Sequence, residues 1–337
     1  MSRCIPFLCA AMLAQAIFGA QSMREVSFMV ASPASRPPAV DGVLDDACWA
    51  EGVANTNYYT FIRGSETPRR VFEPRTECTV MYDGKCLYIG VRNWEKDTKS
   101  LRQQRIKDQD PDIWTDDSAE LYFDPEAHGE SFYRFNVNSL GKCDHLWRMD
   151  AANVHHEWVA EGAVAAAKVF DDRWEFELAI PWASLNDVRR PSTGTVWTFD
   201  HNRYRYPGGE FDGLVDATRG MVSSPGASFT TPHMFGYLYF SDGRPPVAEA
   251  VLKEVASRAK GEWAIEIDGT TYLHDATGTR SVAVPASEAI AARLAEEEAR
   301  EKKYDALATR LKAGEEGDYE PLPLPLAGTF EIGRAHV

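Results

Sequence analysis

Residues 110–125, DPDIWTDDSAELYFDP, combine an aromatic side chain with carboxylates on a strand. Trp114 comes first, and the alternation that follows places Glu120 on the face opposite Leu121 and Phe123. A flat apolar ring beside hydrogen-bonding carboxylates at the rim of a sheet is the combination that binds a sugar ring. The alternative is that Trp114 is a loop tryptophan half-buried against the sheet.

The elements that must position these residues are short strands punctuated by Gly, Pro and Asp. Alternating patterns predict strands at 25–30, 76–82, 86–93, 118–123, 132–138, 163–170, 174–180, 196–202 and 235–240. Helical patterns in this region are short, at 44–50 and 181–185. The sequence therefore predicts an all-β fold, a β-sandwich of two antiparallel sheets.

One hairpin can be followed in register. A two-residue turn at 83–84 places Cys78 opposite Ile89 and Met81 opposite Cys86. Cys78 and Cys86 then point to opposite faces of the sheet, which argues against a disulfide between them. The remaining pairings among the four cysteines outside the N-terminal segment stay open, and C-x-x-C spacing is absent.

Five segments are predicted along the chain. The N-terminus has a positive Arg3, an apolar stretch at 5–13 and small residues for cleavage, which predicts a secretory signal peptide. Later patterns predict a C-terminal hairpin and a long, charged amphipathic helix at 285–313. The segments are 1–20 (signal peptide), 21–241 (β-sandwich), 242–261 (linker), 262–314 (hairpin plus helix) and 315–337 (proline-rich linker).

The last six residues, IGRAHV, resemble the translation of a sequencing adapter, so we expect a truncated end near Phe330 and a natural protein that continues. The signal predicts a secreted protein, whether periplasmic, cell-surface or extracellular. No segment is long and apolar enough to predict a membrane span.

Charge limits the class of partner. The 337 residues carry a formal net charge of −15. A binding site for nucleic acid needs clustered Lys and Arg, so this composition argues against that partner. It favours a neutral ligand or a cation, and it leaves the oligomeric state open.

Six phrases occur in a characteristic order: PPAVDGVLDDACW, TVMYDGKCLYIGVRN, WTDDSAELYFDP, YRFNVNSLG, DRWEFELAIPWASL and SFTTPHMFGYLYF. Together they resemble carbohydrate-binding module family 9 and its relatives in the DOMON-like superfamily, over about residues 35–240. In that family two aromatic side chains sandwich a terminal sugar ring, and charged and amide side chains of neighbouring strands assist them.

The resemblance implies a carbohydrate-binding site made by Trp114, Glu120, Arg134, Asn136 and Phe229. Family members often carry Trp where this chain has Phe229, which predicts a weaker clamp. On the strand after Glu120 the family places Gln and Arg two residues apart, where this chain has Arg134 and Asn136. The implied function is a non-catalytic module that recognises a saccharide as part of a larger polysaccharide-processing protein.

The resemblance also implies a structural calcium ion, for which oxygen-rich loops are suited. Its ligands cannot be assigned, because most acidic side chains are expected to cap helices and turns. The acidic candidates are Asp45, Asp46, Asp116, Asp117 and Asp124.

Three other functions stay open. A glycoside hydrolase-associated enzyme would use Asp117 and Glu120 as acid and base, or would carry its glycosidase domain beyond this chain. A haem-binding electron-transfer domain of the same superfamily would use Met149 or Met234 as an axial ligand. The third alternative is a structural or adhesive module of a larger secreted protein.

Overall fold

The computed structural model describes residues 23–56, 58–61, 74–127, 129–150, 153–186, 188–206, 216–219, 235–259 and 261–312. Val26–Arg258 form one compact unit, and the flanking residues belong to a second. The predicted signal peptide and the predicted proline-rich end lie outside the described residues.

Strands dominate both units. In chain order the strands are β1 (Arg24–Val26), β2 (Phe28–Pro33), β3 (Ala54–Asn55), β4 (Tyr59–Phe61), β5 (Thr76–Tyr82), β6 (Cys86–Trp94), β7 (Ser118–Asp124), β8 (Phe132–Asn138), β9 (Cys143–Arg148), β10 (Val154–His155), β11 (Val164–Val169), β12 (Arg173–Pro181), β13 (Val196–Arg205), β14 (Asp216–Arg219), β15 (Gly236–Phe240), β16 (Trp263–Ile267), β17 (Thr270–Asp275) and β18 (Gly278–Val282). The predicted all-β sandwich is confirmed.

The sandwich is built from one curled sheet. Its order is β10-β9-β8-β7-β13-β15-β2-β5-β6-β12-β11, and β3, β4 and β14 attach at its side. All neighbours are antiparallel except that β2 pairs in parallel with both β15 and β5. Strand β2 therefore joins the two antiparallel layers that the sequence predicts as separate sheets.

The core fills the space between the layers. Phe123 and Phe135 come from one layer, Trp174 and Phe176 come from the other, and all four are fully buried. Burying such a side chain stabilises the fold by about 1.5–3 kcal/mol. The alternation that buries Phe123 turns its neighbours on β7 to the opposite face of the sheet.

The β5–β6 hairpin differs in register from the prediction. Cys78 pairs with Val91, two residues further along β6 than expected. The reason is Asp83, whose Oδ1 accepts from the backbone N–H of Lys85 at 2.7 Å and of Cys86 at 2.9 Å, so that the turn closes one residue later. A register shift of two residues leaves every side chain on its predicted face.

The free cysteines are Cys48, Cys78, Cys86 and Cys143.

Two glycine turns lie against the backbone of Ala167 on β11. Gly42 has φ +89° and Gly141 has φ +75°. A Cβ atom at Gly42 would be 2.6 Å from the carbonyl carbon of Ala167, and one at Gly141 would be 2.8 Å from its nitrogen. Both positions need glycine for its backbone conformation and for space.

The structure differs from the predicted linker at 242–261. This segment contains helix α1 (Ala248–Arg258), which belongs to the sandwich unit. Val251 and Val255 are fully buried, and the Arg258 guanidinium donates to the carbonyl of Ala127 at 2.8 Å. Two buried positions four residues apart are a weak sequence signal, which explains why the pattern resembled a linker.

The second unit contains a four-stranded sheet in the order β1-β16-β17-β18 and helix α2 (Ala286–Lys312). The predicted hairpin is present as β16 and β17, and β1 and β18 extend it. The predicted long helix is also present. Within the described ranges, no helix is long and apolar enough to cross a bilayer.

Candidate functional site

Strand β7 carries polar side chains on the face that does not enter the core. Ala119, Leu121 and Phe123 point into the core, so Glu120 and Tyr122 lie on the opposite side of the sheet. Both are nonetheless buried, with 3% of Glu120 and 1% of Tyr122 exposed. A carboxylate buried on the outer side of a sheet requires specific partners.

The strand register supplies those partners. Glu120 lies directly opposite Asn136 on β8 and Asn202 on β13, and Tyr122 lies opposite Arg134 and Asp200. Asp144 on β9 is the next neighbour beyond Asn136. We call the resulting group the polar cluster, and its members are Glu120, Tyr122, Arg134, Asn136, Asp144, Asp200, Asn202 and Tyr204.

Glu120 is the most connected member of the polar cluster. Its Oε2 accepts from the hydroxyls of Tyr122 at 2.6 Å and Tyr204 at 2.8 Å. Its Oε1 accepts from Asn136 Nδ2 at 3.4 Å and lies 3.8 Å from Arg134 Nη1. Burial, together with the charge of Glu120, raises the pKa of both tyrosines well above its ordinary value. They therefore stay hydroxyl donors at neutral pH.

Arg134 is held between two carboxylates. Its Nη2 pairs with Asp144, and its other terminal nitrogen faces Glu120. Burial opposes the charge of Arg134, but Glu120 and its neighbours outweigh that effect and raise the pKa of the guanidinium. Burial also raises the pKa of Asp144, against the opposing charge of Arg134. The guanidinium is thus charged and fixed in direction.

Three buried polar atoms of this cluster have no hydrogen-bond partner within the described residues. They are Arg134 Nε, Asn136 Oδ1 and Asn202 Oδ1. One is a donor and two are acceptors, and all three lie beside Glu120 on the same face. Leaving such a group unsatisfied costs about 1–3 kcal/mol, so an unpaired set in one place is typical of a ligand or water site.

Trp114 lies at the side of the polar cluster. It sits in the 3-10 turn Ile113–Thr115, and its side chain is half-buried. Its ring centroid is 6.3 Å from that of Tyr204, with the planes tilted by 59°. Its carbonyl accepts from the Tyr206 hydroxyl at 2.8 Å. The turn is therefore anchored to β13 and to the residue that follows it, and the ring is next to the tyrosine that contacts Glu120.

The structure brings together three of the five residues predicted for the site, since Glu120, Arg134 and Asn136 share one face and the last two each contact Glu120. Trp114 reaches them through Tyr204. Phe229 lies outside the described residues, so its role stays a prediction.

Sequence reasoning missed several members of the polar cluster. Asp200, Asn202 and Tyr204 lie on β13, and Asp144 lies on β9. The sequence of β13, VWTFDHNRYR, alternates between its two faces, and the polar residues at positions 198, 200, 202 and 204 are the signal that could have indicated a polar outer face. Without the register of β13 against β7, nothing connects them to Glu120.

Two of the acidic side chains considered for calcium accept hydrogen bonds from backbone N–H groups. Asp116 accepts from the backbone of Gln104 and Arg105, and Asp124 accepts from the backbone of Glu126 and Gly129. In the part of the chain that the structure describes, no group of three or more His, Cys, Asp or Glu side chains is arranged to hold a metal. Asp116 and Asp124 are thus engaged by N–H donors, and a structural calcium ion stays a prediction.

The residues considered for other chemistry are placed as follows. Asp117 is 1% exposed and accepts from the backbone N–H of Arg102 at 2.8 Å and of Tyr206 at 3.3 Å. Burial raises the pKa of Asp117 to about 6. Met149 is 46% exposed, and Met234 lies outside the described residues.

Comparison with known proteins completes this picture. No curated protein matches the chain. A family 9 carbohydrate-binding module from Caldicellulosiruptor kristjanssonii, solved with cellotriose, is 17% identical over 64% of this chain and 94% of its own, with a TM-score of 0.46. A second structure of a family 9 module from the same organism, solved with glucose, is 17% identical over 66% of this chain and 99% of its own, with a TM-score of 0.46.

A proposed carbohydrate-binding protein from Bacteroides uniformis shares the fold, with 13% identity and a TM-score of 0.50 over 64% of this chain and all of its own. The family model described as carbohydrate family 9 binding domain-like matches residues 40–242, which is more than half of the chain. The chain therefore belongs to the carbohydrate family 9 binding domain-like family.

Proposed function

We propose that the sandwich unit binds a saccharide at the polar cluster without hydrolysing it. Glu120, Arg134 and Asn136 form hydrogen bonds with the hydroxyl groups of the sugar, and Trp114 provides the apolar platform. Membership of the family supports the class of ligand. The chemistry of the cluster supports it independently, as the following contacts argue.

The observation that carries the proposal is the set of unpaired polar atoms beside Glu120. A sugar hydroxyl both donates and accepts, so one hydroxyl can donate to the free Oδ1 of Asn136 or Asn202 and another can accept from Arg134 Nε. Because Arg134 is charged, its hydrogen bond is stronger than one between neutral groups. The cluster is thus suited to several neighbouring hydroxyls on one ring.

Trp114 supplies the apolar part of the proposed site. The C–H face of a pyranose can lie on an indole, which removes apolar area from water at about 25 cal/mol per Å². The half-buried state of Trp114 leaves part of its ring for such contact. The second aromatic of the proposed clamp is Phe229, for which the support is the family resemblance alone.

Binding without hydrolysis is supported by how the carboxylates are held. Asp117 accepts two backbone N–H groups, and Glu120 accepts two tyrosine hydroxyls. A glycosidase acid must give a proton to the glycosidic oxygen, and its partner must reach water or the sugar. Both groups here are engaged in holding the fold or the polar cluster.

We further propose that the protein is exported, from its N-terminal signal pattern.

Isothermal titration calorimetry with neutral oligosaccharides, such as cellotriose, tests the proposal on the full chain. Trp114→Ala is expected to weaken binding at least tenfold, because the platform is lost while the fold remains. Trp94→Ala is the matched control, since Trp94 is also half-buried but lies on β6 in the other layer. Equal affinity in Trp114→Ala and the parent protein would reject the site.

A further inference from the structure

A groove of about 620 Å³ opens on the sandwich unit and shares no residue with the polar cluster. It lies between the turn after β7 and the segment that leads into β13. Its floor includes Tyr133, Trp147 and Trp197, which are on the core side of their strands and therefore on the opposite side of the sheet from Glu120. Its volume is within the range of ligand-binding clefts.

The floor belongs to a row of stacked rings that crosses five strands. Trp197 stacks on Phe123 at 5.8 Å, Phe123 on Tyr133 at 5.7 Å, Tyr133 on Trp147 at 6.1 Å and Trp147 on His155 at 5.1 Å. Adjacent planes differ by 12° to 29°. Since Tyr133 and Trp147 each have a stacked neighbour on both sides, they present ring edges to the groove. Ring edges carry partial positive charge and favour oxygen atoms of a ligand.

The wall of the groove carries two arginines. Arg189 and Arg190 are exposed, and neither forms an ion pair with a described residue. Arg190 lies 5.6 Å from the ring centroid of Tyr82, which restrains it. Glu126 is the one acidic side chain among the described lining residues.

The wall is also tied to the floor. The hydroxyl of Tyr133 donates to the carbonyl of Asn186 at 3.1 Å, and after the arginines the backbone N–H of Gly194 donates to the carbonyl of Phe240 on β15 at 2.9 Å. The segment that carries the arginines is thus anchored on both sides of them. In a chain of net charge −15, two anchored arginines that form no ion pair with the residues the structure describes make this segment locally positive.

We propose that this groove binds a carboxylated sugar, such as a uronate unit of an acidic polysaccharide, independently of the site around Glu120. A guanidinium grips a carboxylate through two parallel hydrogen bonds. The edges of Tyr133 and Trp147 favour the ring oxygens, and Met149 and Val188 offer apolar contact to C–H groups. The proposal stands on the groove itself and does not depend on the function proposed for the polar cluster.

Calorimetry of the full chain with trigalacturonate, and with its methyl ester as the uncharged probe, tests this inference. We expect trigalacturonate to bind, and the ester to bind at least tenfold more weakly. Affinity for the acid should fall when salt is raised from 20 to 200 mM, since the arginines are exposed and screened. Equal affinity for acid and ester, or no binding of the acid at millimolar concentration, would overturn the proposal.

Variants separate the groove from the polar cluster. Arg189→Gln with Arg190→Gln should weaken trigalacturonate binding at least tenfold, and Arg189→Gln alone should weaken it less. Arg36→Gln, an exposed arginine outside the groove, should leave it unchanged. Trp114→Ala should also leave it unchanged. Loss of uronate binding in Trp114→Ala, or its full retention in the double arginine variant, would show that the groove is not a second site.

Discussion

The hydroxyl of Tyr204 donates a 2.8 Å hydrogen bond to Oε2 of Glu120, while its ring lies 6.3 Å from that of Trp114. One tyrosine on β13 therefore contacts both the carboxylate of the polar cluster and the proposed platform. The polar and apolar halves of the site are not independent, because a shift of Tyr204 moves both. This link crosses from β7 to β13, which lie far apart in the sequence.

Tyr204→Phe isolates the hydrogen bond from the ring contact. We expect saccharide affinity to fall about five- to tenfold, because Glu120 loses one of its two hydroxyl donors and the net worth of one such bond is about 1 kcal/mol. The ring beside Trp114 is kept, so the fold should persist. Calorimetry and a thermal melt give the two measurements.

Tyr88→Phe is the matched control for that variant. The Tyr88 hydroxyl donates to Asp83 Oδ2 at 3.0 Å, so the change also removes a tyrosine–carboxylate bond, but on β6. Its affinity for saccharide should equal that of the parent protein. If both variants bind alike, Tyr204 has no part in the site.

Acid should destabilise the protein through two buried histidines. Burial lowers the pKa of His201 to about 3 and that of His145 to about 4. In the unfolded chain both titrate near 6.5. Below that pH the unfolded state binds protons that the folded state excludes, so stability is complete above about pH 6.5 and is lost as the pH falls toward 3. Each histidine contributes up to about 1.4 kcal/mol per pH unit within its window.

Urea unfolding at pH 7, 5.5 and 4 measures this loss, and His201→Gln identifies its source. His201 Nδ1 lies 2.6 Å from the Tyr58 hydroxyl, so we expect the variant to be less stable at pH 7, but its stability should fall less steeply with acid. Both proteins carry the same carboxylates, so the difference between their slopes of unfolding free energy against pH removes the contribution of those carboxylates. Parallel slopes would show that His201 is not a source of acid sensitivity.

Gly141→Ala should be more destabilising than the same change at another left-handed glycine. Gly194 has φ +89° and nothing within 4 Å of its added Cβ, so alanine there meets only the backbone cost of about 1–3 kcal/mol. At Gly141 the added Cβ also meets the Ala167 nitrogen at 2.8 Å. We expect at least about 1 kcal/mol of additional loss there by chemical denaturation. Equal losses at the two glycines would refute the close approach.

The alternation of apolar and polar residues predicted the features that depend on residues close together in the sequence, namely where strands lie and which way their side chains face. The strands β7, β8 and β12 and the outward face of Glu120 follow from a period of two. Features set by distant pairing were missed: Tyr204 and Asn202 reach Glu120 only through the β13–β7 register. The hairpin at Asp83 shows the same limit at short range, because side-chain bonds to the backbone moved the turn.

The glycine turns at Gly42 and Gly141 also bear on how the protein behaves at high concentration. Strand β11 is the last in the order of the curled sheet, and such an edge offers unpaired backbone groups to a strand of another molecule. Both turns lie against Ala167, near the middle of that strand. A second molecule that paired along β11 would therefore have to accommodate two turns that already lie against its backbone, and we expect this contact to make such pairing less favourable.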